Sequence, residues 1–110
     1  RASNTSAVLD FHSVPLLPGT RELAEQGVVP GGTRLNFDAA QPHVQWHPEI
    51  TIEEQLILCD AQTSGGLLIA IPSGHVRALI EALDSRGVPH SKIGAVIDRR
   101  ADGRLVEARP

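Results

Sequence analysis

At 110 residues the chain has room for one domain and not for two, since a domain of this size buries roughly two-thirds of its unfolded surface. Hydrophobic residues make up 41% and charged residues 21%, with basic and acidic side chains intermixed to a formal charge of -3, which excludes the concentrated basic footprint of a nucleic-acid binder. Aromatics reach only 3%, so Ile, Leu, Val and Ala must fill the core, and no apolar run approaches the ~20 residues that span a bilayer.

The opening RASNTSAVLD has neither an initiator Met nor the apolar core of a signal peptide, and reads as a cut into a longer chain. Residues 7–12, AVLDFH, have the β-branched and aromatic content of a short strand. Pro15, Pro18 and Gly19 then force an irregular, turned path. TRELAEQG follows as a short helix, with Thr20 as its expected cap and Gly27 as its stop. Pro30-Gly31-Gly32 predicts a loop whose backbone can approach a partner closely, and residues 37–50, polar and proline-punctuated, predict surface loop.

Thr51 opens a second helix with a capping box, its hydroxyl reaching the amide of Glu54 and the Glu54 carboxylate reaching back. That helix is expected to end near Cys59. After Gln62-Thr63-Ser64-Gly65-Gly66 comes LLIAI, residues 67–71, a wholly apolar run suited to a strand buried on both faces. Ser73 is the expected cap of the next helix, in which Val76, Leu79, Ile80 and Leu83 follow the i, i+3, i+4, i+7 spacing and Gly87 terminates. SKIGAVID is a further strand, and Asp102-Gly103 a turn from which RLVEA pairs back as a hairpin arm. The sum is an α+β fold, a mixed α/β sheet with helices packed on it.

Two segments carry candidate chemistry. In VPGGTRLN, unshielded Gly31 and Gly32 amides, the Thr33 hydroxyl, the Arg34 guanidinium and Asn36 suit an anionic ligand; the bland alternative is a glycine turn with a solvated arginine. In DAQTSGG, the residues Thr63, Ser64, Gly65 and Gly66 suit an anion-binding lip of backbone amides at a strand mouth; the alternative is glycines that relieve crowding. The glycine-lysine pair of a Walker A loop is absent from the segment.

Taken together, PLLPG, then PGGTRLN after a helical spacer, then CDAQTSGGLL, resemble selenophosphate synthetase (selenide, water dikinase), and the likeness runs from LDFHSVPLLPG through IGAVID. Ala61 stands where the family has Pro, and Leu35 where it has Arg, which removes a positive charge beside the glycines. The resemblance implies a carboxy-terminal domain like that of aminoimidazole ribonucleotide synthetase, incomplete here, whose parent makes selenophosphate, AMP and orthophosphate from selenide, ATP and water with Mg2+. It implies that the catalytic residues and most metal-binding aspartates lie in an amino-terminal ATP-binding domain, with a further metal-binding aspartate in a DVTGFG-like motif shortly upstream of Arg1, so no catalytic or metal residue is assigned in this chain. The Gly31 to Asn36 and Thr63 to Gly66 segments are then cleft-facing loops for ATP. A thiamine-monophosphate kinase or hydrogenase-maturation relative, or a non-enzymatic assembly module, is the alternative.

The remaining groups read as structural. His43 and His47 have zinc-compatible spacing but are bracketed by Pro42 and Pro48 and lack a HExxH glutamate. Cys59, the only cysteine, excludes an intrachain disulfide and suits a reducing cytosol; following LIL, it is expected to be a buried, inert thiol. Glu53 and Glu54 are expected on a solvated helix face, and Arg99, Arg100, Asp102 and Arg104 at a soluble turn. The expected partners are the amino-terminal domain of the same polypeptide and a second copy of the chain, the latter covering apolar surface around residues 67–71.

Overall fold

The computed structural model describes residues 3–110; the expected cut at Arg1 lies outside the described residues. Strand β1 (Thr5–Asp10) sits at the centre of a four-stranded mixed sheet whose order is β2-β4-β1-β3. Its neighbours are β3 (Gly94–Asp98), antiparallel with Leu9 opposite Gly94, and β4 (Val106–Arg109), parallel with Val8 opposite Glu107. The outer strand β2 (Val44–Trp46) runs parallel to β4. Helices α1 (Thr20–Glu25), α2 (Gly31–Ala40), α3 (Ile52–Leu58) and α4 (Val76–Asp84) complete an α+β fold of the expected class. The small core contains Phe11, Ala24, Ile50, Leu56 and Ala108, mostly aliphatic, as the composition requires. No helix among the described residues is long and apolar enough to cross a membrane.

Several expectations are overturned. Pro30-Gly31-Gly32 is not a loop: Pro30 takes the cap position and both glycines lie in the first turn of α2. Each helical glycine costs about 1 kcal/mol relative to alanine, and packing of Thr33 and Phe37 on the inner face of α2 outweighs that cost. Thr33 is 1% exposed, and the Phe37 ring meets Trp46 at 6.4 Å. The expected surface loop at 37–50 therefore contains the end of α2 and all of β2. In β2, Val44 and Trp46 turn inward while Gln45 is exposed, the period-two alternation of a strand.

The last two strands do reverse direction, yet they are not a hairpin, because β1 lies between them. Ser6 makes that insertion possible: its buried hydroxyl donates to the Arg104 carbonyl at 3.0 Å and accepts from the Arg100 amide at 3.1 Å. It thus holds both ends of the connection around the Asp102-Gly103 turn. Arg104 then donates to the Gln41 and Val44 carbonyls at 2.6 and 2.9 Å, tying the α2–β2 corner to the start of β4.

Residues 67–71 form no strand. Leu67 is 90% and Leu68 81% exposed. A strand buried on both faces needs an interior position in the sheet, and here β4 and β1 hold both interior positions, with β2 and β3 at the edges. Thr20 and Ser73 are not caps either: Gly19, at φ 85°, precedes α1, and Ser73 opens a single 3-10 turn before α4. Gly27 and Gly87 do end their helices in left-handed conformations, and the α4 stripe of Val76, Leu79, Ile80 and Leu83 is half-buried.

Candidate functional site: a clamp joining the two glycine-bearing segments

Helix α3 brings the two candidate segments together. It begins with the expected capping box: Thr51 Oγ1 accepts from the Glu54 amide at 3.3 Å, and Glu54 Oε2 accepts from the Thr51 amide at 3.0 Å. The expectation of a solvated Glu54 fails, because its other oxygen accepts from Arg21 of α1 at 2.7 Å and the residue is buried. Arg21 also lies over the Phe11 ring at 4.9 Å. Burial pushes the Glu54 pKa up, but the Arg21 hydrogen bond, the Thr51 amide and the nearby positive charges outweigh it and hold the group below its ordinary value.

At its carboxy-terminal end α3 delivers Cys59, Asp60 and Ala61 against one face of α2. Thr33 Oγ1 donates to Asp60 Oδ1 at 2.6 Å and accepts from the Ala61 amide at 3.2 Å. One turn on, Asn36 Nδ2 donates to the Cys59 carbonyl at 3.1 Å. The second Asp60 oxygen accepts from Gln62 Nε2 at 2.6 Å. A Cβ on Gly32 would stand 3.4 Å from Ala61 Cβ, which is ordinary contact, so the segments approach closely at this point. The PGGTRLN and CDAQTSGG motifs thus form one hydrogen-bonded unit, although 23 to 28 residues separate the bonded partners.

Thr33 and Asn36 are consequently anchors, with their side chains directed to Asp60, Ala61 and Cys59. Gly31, Gly32 and Arg34 lie exposed at the amino-terminal end of α2, where the first amides of a helix lack intrahelical partners and favour negative charge. Thr63, Ser64, Gly65 and Gly66 are exposed and leave the clamp without regular structure. A cleft of about 340 Å³ opens beside the clamp, lined chiefly by Leu23, Val28, Val29 and Leu56, with Thr33 and Asp60 at its polar end.

Cys59 is half-buried and burial pushes its thiol pKa up, which disfavours the reactive thiolate. His43 and His47 flank β2 rather than sharing a helix, and among the described residues no three His, Cys, Asp or Glu side chains gather as a metal site. Arg100 pairs with Asp102 and Glu107, and Arg99 Nη2 donates to the Gly103 carbonyl at 2.9 Å. The basic residues near the last turn therefore brace the connection between β3 and β4. The Arg21–Glu54 pair and the Thr33–Asp60 bond went unread in the sequence, since 33 and 27 residues separate the partners.

No protein-family model matches the chain. It is 37% identical over 107 residues to a selenide, water dikinase of Haemophilus ducreyi, an overlap of 97% of this chain and 30% of that relative. It is 40% identical over 96 residues to one from Shewanella putrefaciens, covering 87% and 26% respectively. A third, from Shewanella baltica, is 38% identical over 106 residues, covering 96% and 29%. The chain spans less than a third of the length of these relatives. Along almost its whole length, this chain is homologous to a segment of the selenide, water dikinases.

Proposed function

We propose that the chain is the distal part of the carboxy-terminal domain of a selenophosphate synthetase, acting in the cytosol, and that it forms one wall of the active-site cleft. The parent enzyme makes selenophosphate, AMP and orthophosphate from selenide, ATP and water. The observation that carries the reading is the clamp: the segments that resemble the family are bonded to each other through Thr33, Asn36, Cys59, Asp60 and Ala61. From that base the 63–66 loop and the exposed start of α2 offer backbone amides to an anionic ligand such as the ATP phosphates.

The residues do not fit a magnesium site. Both Asp60 oxygens already accept hydrogen bonds, and magnesium calls for several free oxygen ligands in octahedral array. In the proposed enzyme the reacting groups and most metal ligands belong to the amino-terminal ATP-binding domain of the same polypeptide, and this segment holds the loop against it.

The test is AMP formation from ATP, magnesium and selenide under anaerobic conditions, with the full-length polypeptide and with the 110-residue chain side by side. The full-length protein is expected to form AMP only when selenide is present, and the short chain to form none. Enzyme-like turnover by the short chain sinks the scaffold role. Selenide-independent or absent turnover by the full-length protein sinks the assignment of the parent.

A further inference from the structure

The 63–66 loop has no regular structure of its own, so its position depends on where it leaves the clamp. Each side of the Asp60 carboxylate has a different task there. One oxygen is bonded to Thr33, a buried residue of α2, and the other to the Gln62 amide. Gln62 also backs the loop: a Cβ placed on Gly65 would lie 3.1 Å from Gln62 Cβ, so the loop folds back onto the Gln62 stem at a point where only a glycine fits without displacement.

We infer that Asp60 and Gln62 are positioning residues, a relay that transmits the fixed position of α2 through Thr33, Asp60 and Gln62 to the backbone of Thr63–Gly66. This rests on the reading of that loop as cleft-facing. Asp60 acts as a two-sided acceptor, not as a charge offered to metal or substrate. Thr33 keeps the carboxylate in place, the Gln62 amide reads its orientation, and the Gln62 stem supports Gly65. The relay needs one acceptor facing Thr33 and one hydrogen-bonding group facing Gln62. An asparagine satisfies both, because its amide can donate to Gln62 once the glutamine amide is turned over.

The relay is tested in the full-length polypeptide by four variants, assayed for selenide-dependent AMP formation, with KM for ATP and for selenide and kcat measured separately. Gln62→Ala is expected to raise KM for one substrate about fivefold, the factor carried by one lost hydrogen bond of ordinary net strength, with kcat within about twofold of wild type. Backbone order parameters of Ser64–Gly66 are expected to fall in the same variant. Asp60→Ala should show at least the same KM effect, and Asp60→Asn should restore it toward wild type. Asp60→Asn as damaging as Asp60→Ala overturns the relay, since the charge itself is then required.

The fourth variant, Gly66→Asp, sets a negative charge among the loop amides at a position with open space for a side chain, and separates the relay from the reading beneath it. If it raises KM while Gln62→Ala changes neither KM nor the order parameters, the loop faces the cleft but the relay is refuted. If it leaves KM and kcat unchanged, the cleft-facing loop is itself refuted and the relay falls with it.

Discussion

Replacing Thr33 by valine removes one hydroxyl and almost no volume, which makes it a direct measure of the clamp. The hydroxyl is buried, donates to a carboxylate at 2.6 Å and accepts from a backbone amide at 3.2 Å. A hydrogen bond to a charged group contributes about 1.5–3 kcal/mol and a neutral one about 0.5–1.5 kcal/mol. Asp60 is half-buried, so water recovers part of what it loses, and the lower ends of both ranges apply. Their sum is a destabilisation of about 2 kcal/mol, equivalent to a fall in melting temperature of about 8–10 °C for a chain this size.

Thr33→Ser is the control. It keeps both hydrogen bonds and loses one methyl group, at a cost of about 1 kcal/mol. Urea denaturation and thermal unfolding followed by circular dichroism measure both variants, with the slope against urea checked to be unchanged. If Thr33→Val lies within about 0.5 kcal/mol of wild type, a surface-like value, the clamp does not hold the two segments together. Serine as damaging as valine makes the contribution of Thr33 one of packing, and the hydrogen-bond argument fails.

Gly94→Ala places a Cβ onto the Val8 carbonyl and 3.0 Å from its carbon, backbone atoms that cannot step aside. It is expected to cost about 3 kcal/mol, the upper end for overpacking, whereas Gly103→Ala, with nothing nearby, should show only the milder strain of a left-handed position; equal effects in unfolding experiments would contradict the close β1–β3 approach. Glu54 has its pKa lowered from 4.5, so its stabilisation is fully present above about 4.5 and fades as pH falls through the lower folded value. Glu54→Gln should therefore cost about 1–2 kcal/mol at pH 7, with a gap in melting temperature that narrows on acidification below 4.5; a pH-independent gap refutes the pairing. We propose that copies of the isolated chain associate through the exposed, apolar Leu67 and Leu68: Leu67→Asp with Leu68→Asp should keep its secondary structure and lower its sedimenting mass, and a wild-type chain that sediments as a monomer, or a variant that sediments like wild type, refutes this.

Local signals survived folding where the physics is local. The Thr51–Glu54 capping box, the left-handed Gly27 and Gly87, and the α4 stripe each involve residues within two turns of one another, and each stands as read. The readings that failed depend on distant partners. Pro30-Gly31-Gly32 has the composition of a loop, and only packing of α2 on Asp60 and Trp46 makes a helix of it. Val44 and Trp46 alternate over too short a stretch to announce β2 without β4 beside it. RLVEA is a strand antiparallel to SKIGAVID, but the two do not pair as the hairpin the sequence predicts, and no local feature says that β1 enters between them; Ser6, bonded to both ends of that connection, sits more than 90 residues away. For the candidate site, the sequence marked both segments and missed that they meet.

That meeting changes what the marked residues do. Helix α3 is tied at both ends by side chains from other helices: Arg21 of α1 holds Glu54, while Thr33 and Asn36 of α2 hold Asp60 and the Cys59 carbonyl. Each tie involves a buried or half-buried group, so each resists rotation of α3 more than an exposed ion pair would. The apolar cleft lies between these ties, with Leu23 from α1, Pro30 at the head of α2 and Leu56 from α3 on its walls. The three helices therefore form a platform whose geometry is set by charge-assisted hydrogen bonds rather than by a large core, which a chain with 3% aromatics could hardly supply. Thr33, Asn36, Asp60 and the segment around Cys59, all within the motifs that resemble the family, build this platform. Exposed beside it lie Gly31, Gly32 and Arg34 at the head of α2 and Thr63 to Gly66 after α3, the residues to which the proposed function assigns ligand contact.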